Sequence, residues 1–250
     1  MSDFNRGFVR PAPAQADMSV DAGLRSFMLG VYNKVALGLV VSGVLAWLTS
    51  HAPLVNYIFP VVETPAGLAH TVSGIGTVLM FAPLVVILGS SFLMRSATPR
   101  NSGILYWTMV SLIGASMGVL LLRYTGESVA TTFFVTAAAF GALSLFGYTT
   151  KRDLSAMGSF LIMGLIGIVI ASLVNMFLHS SVVAFTVSIL GVLIFAGLIA
   201  WDTQRLKMTY YQIGGDRAAM GVATNYGALS LYLDFINLFQ FLLSFMGNRR

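Results

Sequence analysis

The stretch Tyr226–Met246, YGALSLYLDFINLFQFLLSFM, decides how the chain is read. About 20 residues of α-helix rise about 30 Å, the hydrocarbon thickness of a bilayer, so this run is long enough to cross one. Asp234 sits roughly a third of the way along it. A carboxylate at that depth is costly unless it faces protein, water or a partner. Ser230, Asp234, Asn237, Gln240 and Ser244 follow one another at three- and four-residue steps. At about 100° per residue they share one side of a helix, and the rest of the surface is Leu, Phe and Ile. Ser, Asn and Gln in such a seam serve as interhelical glue. An ionisable residue in the seam points to function.

Composition places the whole chain in lipid. Of 250 residues, 57% are hydrophobic and 9% charged, where a soluble domain carries about 25% charged residues. Mean hydropathy is +0.84. The formal charge of +5 therefore reports topology and contact with anionic lipid, and nucleic acid is not an expected partner. The absence of cysteine removes disulfides, thiolate metal sites and Cys nucleophiles. Residues 1–29 read as a polar cytoplasmic tail with Asp3, Arg6, Arg10, Asp17, Asp21 and Arg25, and contain no signal-peptide core.

Residues 30–250 read as one transmembrane domain of seven helices, at about Gly30–Thr49, Gly76–Met94, Gly103–Leu122, Ser128–Tyr148, Ala156–Leu178, Val182–Trp201 and Tyr226–Met246. The fifth and sixth spans meet in a tight hairpin at His179-Ser180-Ser181. Lys and Arg gather on one side: Arg6, Arg10, Arg25 and Lys34, then Arg95 and Arg100, Lys151 and Arg152, and Arg205, Lys207 and Arg217. That bias predicts a cytoplasmic N-terminus and an outward C-terminus, opposed only by Arg123 and the Arg249–Arg250 pair. Gly38/Ser42, Gly114/Gly118 and Ala137/Gly141 have the small-xxx-small spacing that lets helices approach closely. Pro83 is expected to kink the second helix.

Asp202 lies at the inner end of span six, in Trp201-Asp202-Thr203-Gln204. If helix six continues to about Lys207, Asp202 and Asp234 reach similar depths. Two carboxylates together in low dielectric cannot both ionise cheaply, so one holds a proton. A shared proton makes a hydrogen bond, and its loss makes a repulsion that drives helices apart. The plainer alternative has Asp202 at the interface, satisfied by water and Arg205. Arg95 ends span two on the same side and is a candidate charge latch or a snorkelling anchor.

These residues carry a resemblance. Ala228–Phe239, ALSLYLDFINLF, resembles the signature of the Bax inhibitor-1 family, as do Asp202-Thr203-Gln204 and Gly147–Ser155, GYTTKRDLS, the last in a bacterial form. The resemblance covers the chain from the first span to the end. It implies an all-α fold of seven transmembrane helices with the last helix central, in the cell inner membrane. It implies that Asp202 and Asp234 are a pH sensor for calcium leak, closed while the proton is shared, with an arginine latch matched by place to Arg95. It implies restraint of a membrane-bound AAA protease as an alternative role. Asn237 and Ser230 are candidate route-lining residues. Two Asp with Asn237 and backbone carbonyls make at best a weak calcium site, which suits an ion that must leave again. No cofactor is expected; calcium or protons are the cargo, and lipid is the surrounding partner.

An enzymatic reading competes. Gly114-Ala115-Ser116-Met117-Gly118 matches G-x-S-x-G, and His179 is the base it would need. That motif means a nucleophile elbow only at a strand-to-helix turn, and inside a helix it is Gly-xxx-Gly packing. The chain is therefore not expected to be an enzyme. No zinc-protease helix or phosphate-binding loop is present in the sequence.

Overall fold

A computed structural model describes residues 22–64, 67–93, 97–213 and 215–249. Apolar runs with little charge must close their backbone hydrogen bonds internally, which favours helix. Nine helices form among the described residues: α1 (Ala22–Thr49), α2 (Leu54–Ile58), α3 (Gly74–Leu93), α4 (Pro99–Ser116), α5 (Gly118–Arg123), α6 (Gly126–Thr149), α7 (Ser155–Leu178), α8 (Ser181–Ile213) and α9 (Arg217–Met246). A small antiparallel hairpin, β1 (Val61–Thr64) and β2 (Gly67–His70), pairs Val61 with His70 between α2 and α3.

The protein is an all-α membrane protein. Six helices, with α4 and α5 taken as one, are long and apolar enough to cross a membrane by length and composition. The apolar α3, where the sequence places its second span, falls outside that set and carries Pro83 within it. Apolar side chains on α7 such as Phe160, Met163 and Phe177 point outward, as a helix bordered by lipid requires. By contrast α9 is packed on several sides, against α1, α4, α6 and α8, so the last helix is central.

Two boundaries differ from the sequence reading. Residues 22–29, read as tail, are the first two turns of α1, where Leu24, Phe27 and Met28 are buried. Arg25 sits among them on the exposed side, so one charge hides an otherwise apolar stripe. Likewise α8 runs on to Ile213 and α9 begins at Arg217, capped by Asp216, whose carboxylate accepts from the amides of Ala218 and Ala219. The expected hairpin between α7 and α8 is present. His179 takes the left-handed conformation at φ 51°, and the Asn175 side chain accepts from the Ser180 amide.

Small residues set the closest approaches. Gly114 lies on Ser42 and Gly118 on Thr49, so α1 meets α4 and α5 with no room for a methyl group. Thr49 Oγ1 donates to the Ala115 carbonyl where α4 gives way to α5. Gly141 does not behave as expected: it is exposed and has open space around it, so its pairing with Ala137 is not a helix contact.

The bundle has two ends. The starts of α1, α4, α7 and α9 and the finishes of α6 and α8 share one, here called the near end: Lys34 bonds Asn225, Asn225 bonds the Pro99 carbonyl, and Gln204 bonds the α6–α7 loop. The far end holds the α7–α8 hairpin, the Tyr124–Gly126 turn and the finish of α9. There Asn248 pairs with the chain around Thr125 through Thr125 N–H to Asn248 O and Asn248 N–H to Ser128 Oγ.

Candidate functional site

The seam of α9 faces α8 at successive levels. At the near end, Arg205 of α8 donates to Ser230 Oγ at 3.1 Å. One turn deeper, Asp234 neighbours Asp202, close enough for the two carboxyl groups to interact. A hydrogen bond between them would require that one of them carry a proton. Farther on, Ser188 of α8 donates to Ser244 at 3.2 Å. The condition for the pairing is met because α8 passes Trp201 without a break, which carries Asp202 to the depth of Asp234.

Both carboxylates are buried, Asp202 at 4% exposure and Asp234 at 6%. Asp234 Oδ2 has no hydrogen-bond partner among the described residues. Asp202 Oδ1 lies 2.9 Å from Arg205 Nη2, an ion pair by distance in which the oxygen accepts no well-aligned hydrogen bond. Among the described residues, the charged groups acting on Asp234 are Asp202 and Arg205, both from α8. So Asp202 is neither simply interfacial nor free of Arg205: it is buried, faces a second carboxylate and touches the arginine at once. Two carboxylates are too few to hold a resident calcium ion, which takes six or more oxygens, and no third acidic or histidine side chain joins them among the described residues.

Past the pair, toward the far end, the seam opens on a cavity of about 330 Å³ between α5, α7, α8 and α9. Its polar lining is Ser172, Asn175, Ser188, Asn237, Gln240 and Ser244, and no charged side chain lines it among the described residues. Asn237 Nδ2 donates to the Leu233 carbonyl in its own helix. A neutral, hydroxyl- and amide-lined space of that size holds several waters.

The other expected residues fall as follows. Arg95 lies outside the described residues. Ser230 lies on the seam and is engaged by Arg205. Ser116 Oγ bonds the Ile113 carbonyl of its own helix, and the His179 ring bonds the Phe177 carbonyl at the α7–α8 turn.

Three residues had roles the sequence did not disclose. Gln204, known only as part of a triplet, clamps the α6–α7 loop: its carbonyl accepts from Leu154 N–H at 2.8 Å and its amide donates to the Arg152 carbonyl at 2.7 Å. That clamp explains why the Asp202-Thr203-Gln204 and Gly147–Ser155 motifs belong together. Lys207 is 7% exposed and donates to the Tyr148 carbonyl at 2.6 Å, at the finish of α6, where a cation complements the helix dipole. Lys34, counted only as a topology charge, donates to Asn225 at 2.6 Å over the Tyr106 ring. Such pairings depend on which helices adjoin, and no local spacing encodes that.

A family model described as "Inhibitor of apoptosis-promoting Bax1" matches residues 24–250. The chain is 65% identical to an uncharacterised protein of Caulobacter vibrioides over the whole of both chains. It is 46% identical to an uncharacterised protein of Rickettsia prowazekii, covering 92% of each. It is 40% identical to the inner membrane protein YbhL of Escherichia coli K12, covering 92% of this chain and 94% of that one.

Proposed function

The chain belongs to the Bax inhibitor family, and we propose that it is a pH-responsive calcium or cation leak of the cell inner membrane, crossing seven times with the near end in the cytoplasm. The observation that carries this reading is the buried Asp202–Asp234 pair, at the point where a polar seam leads into a neutral cavity. The distribution of charge supports the orientation: Arg25, Lys34, Arg100, Lys151, Arg152, Arg205, Lys207 and Arg217 are at the near end, against Arg123 and Arg249 at the far end.

The chemistry follows from the proton count. While the pair holds one proton, Asp234 and Asp202 bond α9 to α8 and the seam is closed on itself. When the proton leaves, two negative charges face each other in low dielectric, with one adjacent guanidinium, and the helices separate or admit a cation. Stability of the closed form is therefore present at low pH and lost as pH rises, so flux increases with pH. Calcium or another cation is cargo here: the cavity presents water and neutral oxygens before the pair, and a weak site lets the ion leave.

Calcium flux into proteoliposomes, measured from about pH 6 to about pH 8, tests this. The wild type is expected to leak more as pH rises, and Asp234→Asn, which keeps shape and hydrogen bonding, to lose that dependence. Flux that is absent at every pH, or unchanged by Asp234→Asn, would sink the leak reading. It would then favour a non-transporting regulator that binds a membrane-bound AAA protease.

A further inference from the structure

Arg205 lies on the near-end side of the Asp pair. Its Nη2 is 2.9 Å from Asp202 Oδ1 on α8 and 3.1 Å from Ser230 Oγ on α9. Ser230 is one turn before Asp234 on the same helix, so the guanidinium bridges the two helices on the near side of the pair. The side chain is 47% exposed, so it also reaches the medium at that end. Its guanidinium stands 4.8 Å over the ring of Trp201. That indole in turn lies so close over Gly158 of α7 that no methyl group would fit between them. Trp201 thus fixes where the guanidinium can rest.

We propose that Arg205 is a tethered cation that occupies the near-end face of the Asp pair and competes with any mobile cation for it. This deepens the leak reading and rests on it. The argument is one of charge and position. Guanidinium stays protonated at every physiological pH, so it neutralises the pair's permanent negative charge without titrating. Among the described residues no second cation faces the pair, so with both carboxyls ionised one negative charge is left uncompensated. A mobile cation is drawn by that excess and must displace the guanidinium from Asp202 to pass. Since the side chain is half in water, its release toward the medium costs little, as for other half-exposed ion pairs. Arg205 therefore positions and competes. It sets how tightly the pair holds a cation, and the proton sets whether the pair holds one.

The test uses the full chain in detergent or nanodiscs, with terbium as the probe, a trivalent calcium substitute whose emission is sensitised by nearby tryptophan. Half-saturation is read, because intensity depends on Trp201 geometry. Arg205→Gln is expected to lower the terbium half-saturation concentration about tenfold, and Arg205→Lys, which keeps a charge but loses the planar stack, to lie between. Adding Asp234→Asn should abolish the gain. Half-saturation that is equal in Arg205→Gln and wild type, with Asp234→Asn still weakening binding, overturns the role of Arg205 and leaves the Asp pair in place. Terbium binding indifferent to Asp234→Asn overturns the underlying reading as well. If Arg205→Gln does not fold, Ser230→Ala removes one anchor of the guanidinium and keeps both carboxylates. It is expected to shift half-saturation the same way by a smaller factor, and no shift overturns the proposal.

Discussion

The two halves of α9 are built on opposite plans. From Asn225 to Asp234 most side chains are buried, and the polar ones are engaged across helices. Asn225 joins Lys34, Ser102 and the Pro99 carbonyl, Ser230 takes Arg205, and Asp234 meets Asp202. Beyond Asp234, Asn237 bonds its own helix, and Gln240 and Ser244 are exposed to a cavity. One half spends its polar groups on closure; the other keeps one interhelical bond, from Ser188 to Ser244, and leaves Asn237 and Gln240 lining the cavity. A bundle that used the first plan throughout would seal the seam, and one that used the second throughout would give Asp234 no partner. The contrast predicts that, the Asp pair and the Arg205–Ser230 contact apart, near-end substitutions change stability and far-end substitutions change passage.

The largest effect expected on that contrast is at Gly147. A methyl group there would run into the backbone of Ala200, which cannot swing aside as a side chain can. Gly147→Val should destabilise the protein by about 3 kcal/mol, far more than the roughly 1 kcal/mol that losing a helical glycine returns. Thermal unfolding in detergent reads the loss, and an unchanged melting temperature would break the comparison at its near end. Next is Gln204→Leu, which releases the α6–α7 loop and orphans the Leu154 amide. About 1–2 kcal/mol of stability should go, and protease nicking around Lys151–Asp153 should rise. The smallest effect on stability, within about 0.5 kcal/mol, is expected for Gln240→Leu in the cavity. The same variant should reduce calcium flux severalfold, and flux equal to wild type would show that the cavity lies off the route.

How much of this was legible beforehand depends on whether a feature is local. The seam of α9 and the hairpin at His179 could be read because periodicity and turn residues are properties of neighbouring positions. The seven expected spans correspond to α1, α3, α4 with α5, and α6 to α9, and among the described residues six of these units meet the length and hydropathy of a crossing. The start of α1 was misplaced because Arg25 interrupts a stripe whose other members, Leu24, Phe27 and Met28, are core. The extent of α8 was underestimated because Asp202, Arg205 and Lys207 look like a loop when counted by hydropathy. Each of them is nonetheless held inside the fold by a partner distant in sequence or by a neighbouring turn. The pairing of Asp202 with Asp234 was conditional on that extent. The bridging position of Arg205 was hidden more deeply, since its second partner, Ser230, comes from another helix.

The uncharged lining of the far-end cavity has one more consequence. A vestibule walled with carboxylates carries its own ion atmosphere and holds cations above their bulk concentration, so its current saturates early and falls little as the bath is diluted. Serine, asparagine and glutamine build no such atmosphere. On the proposed leak reading, conductance through this mouth should follow bulk ion activity in direct proportion, down to dilutions at which a charged vestibule would still be full.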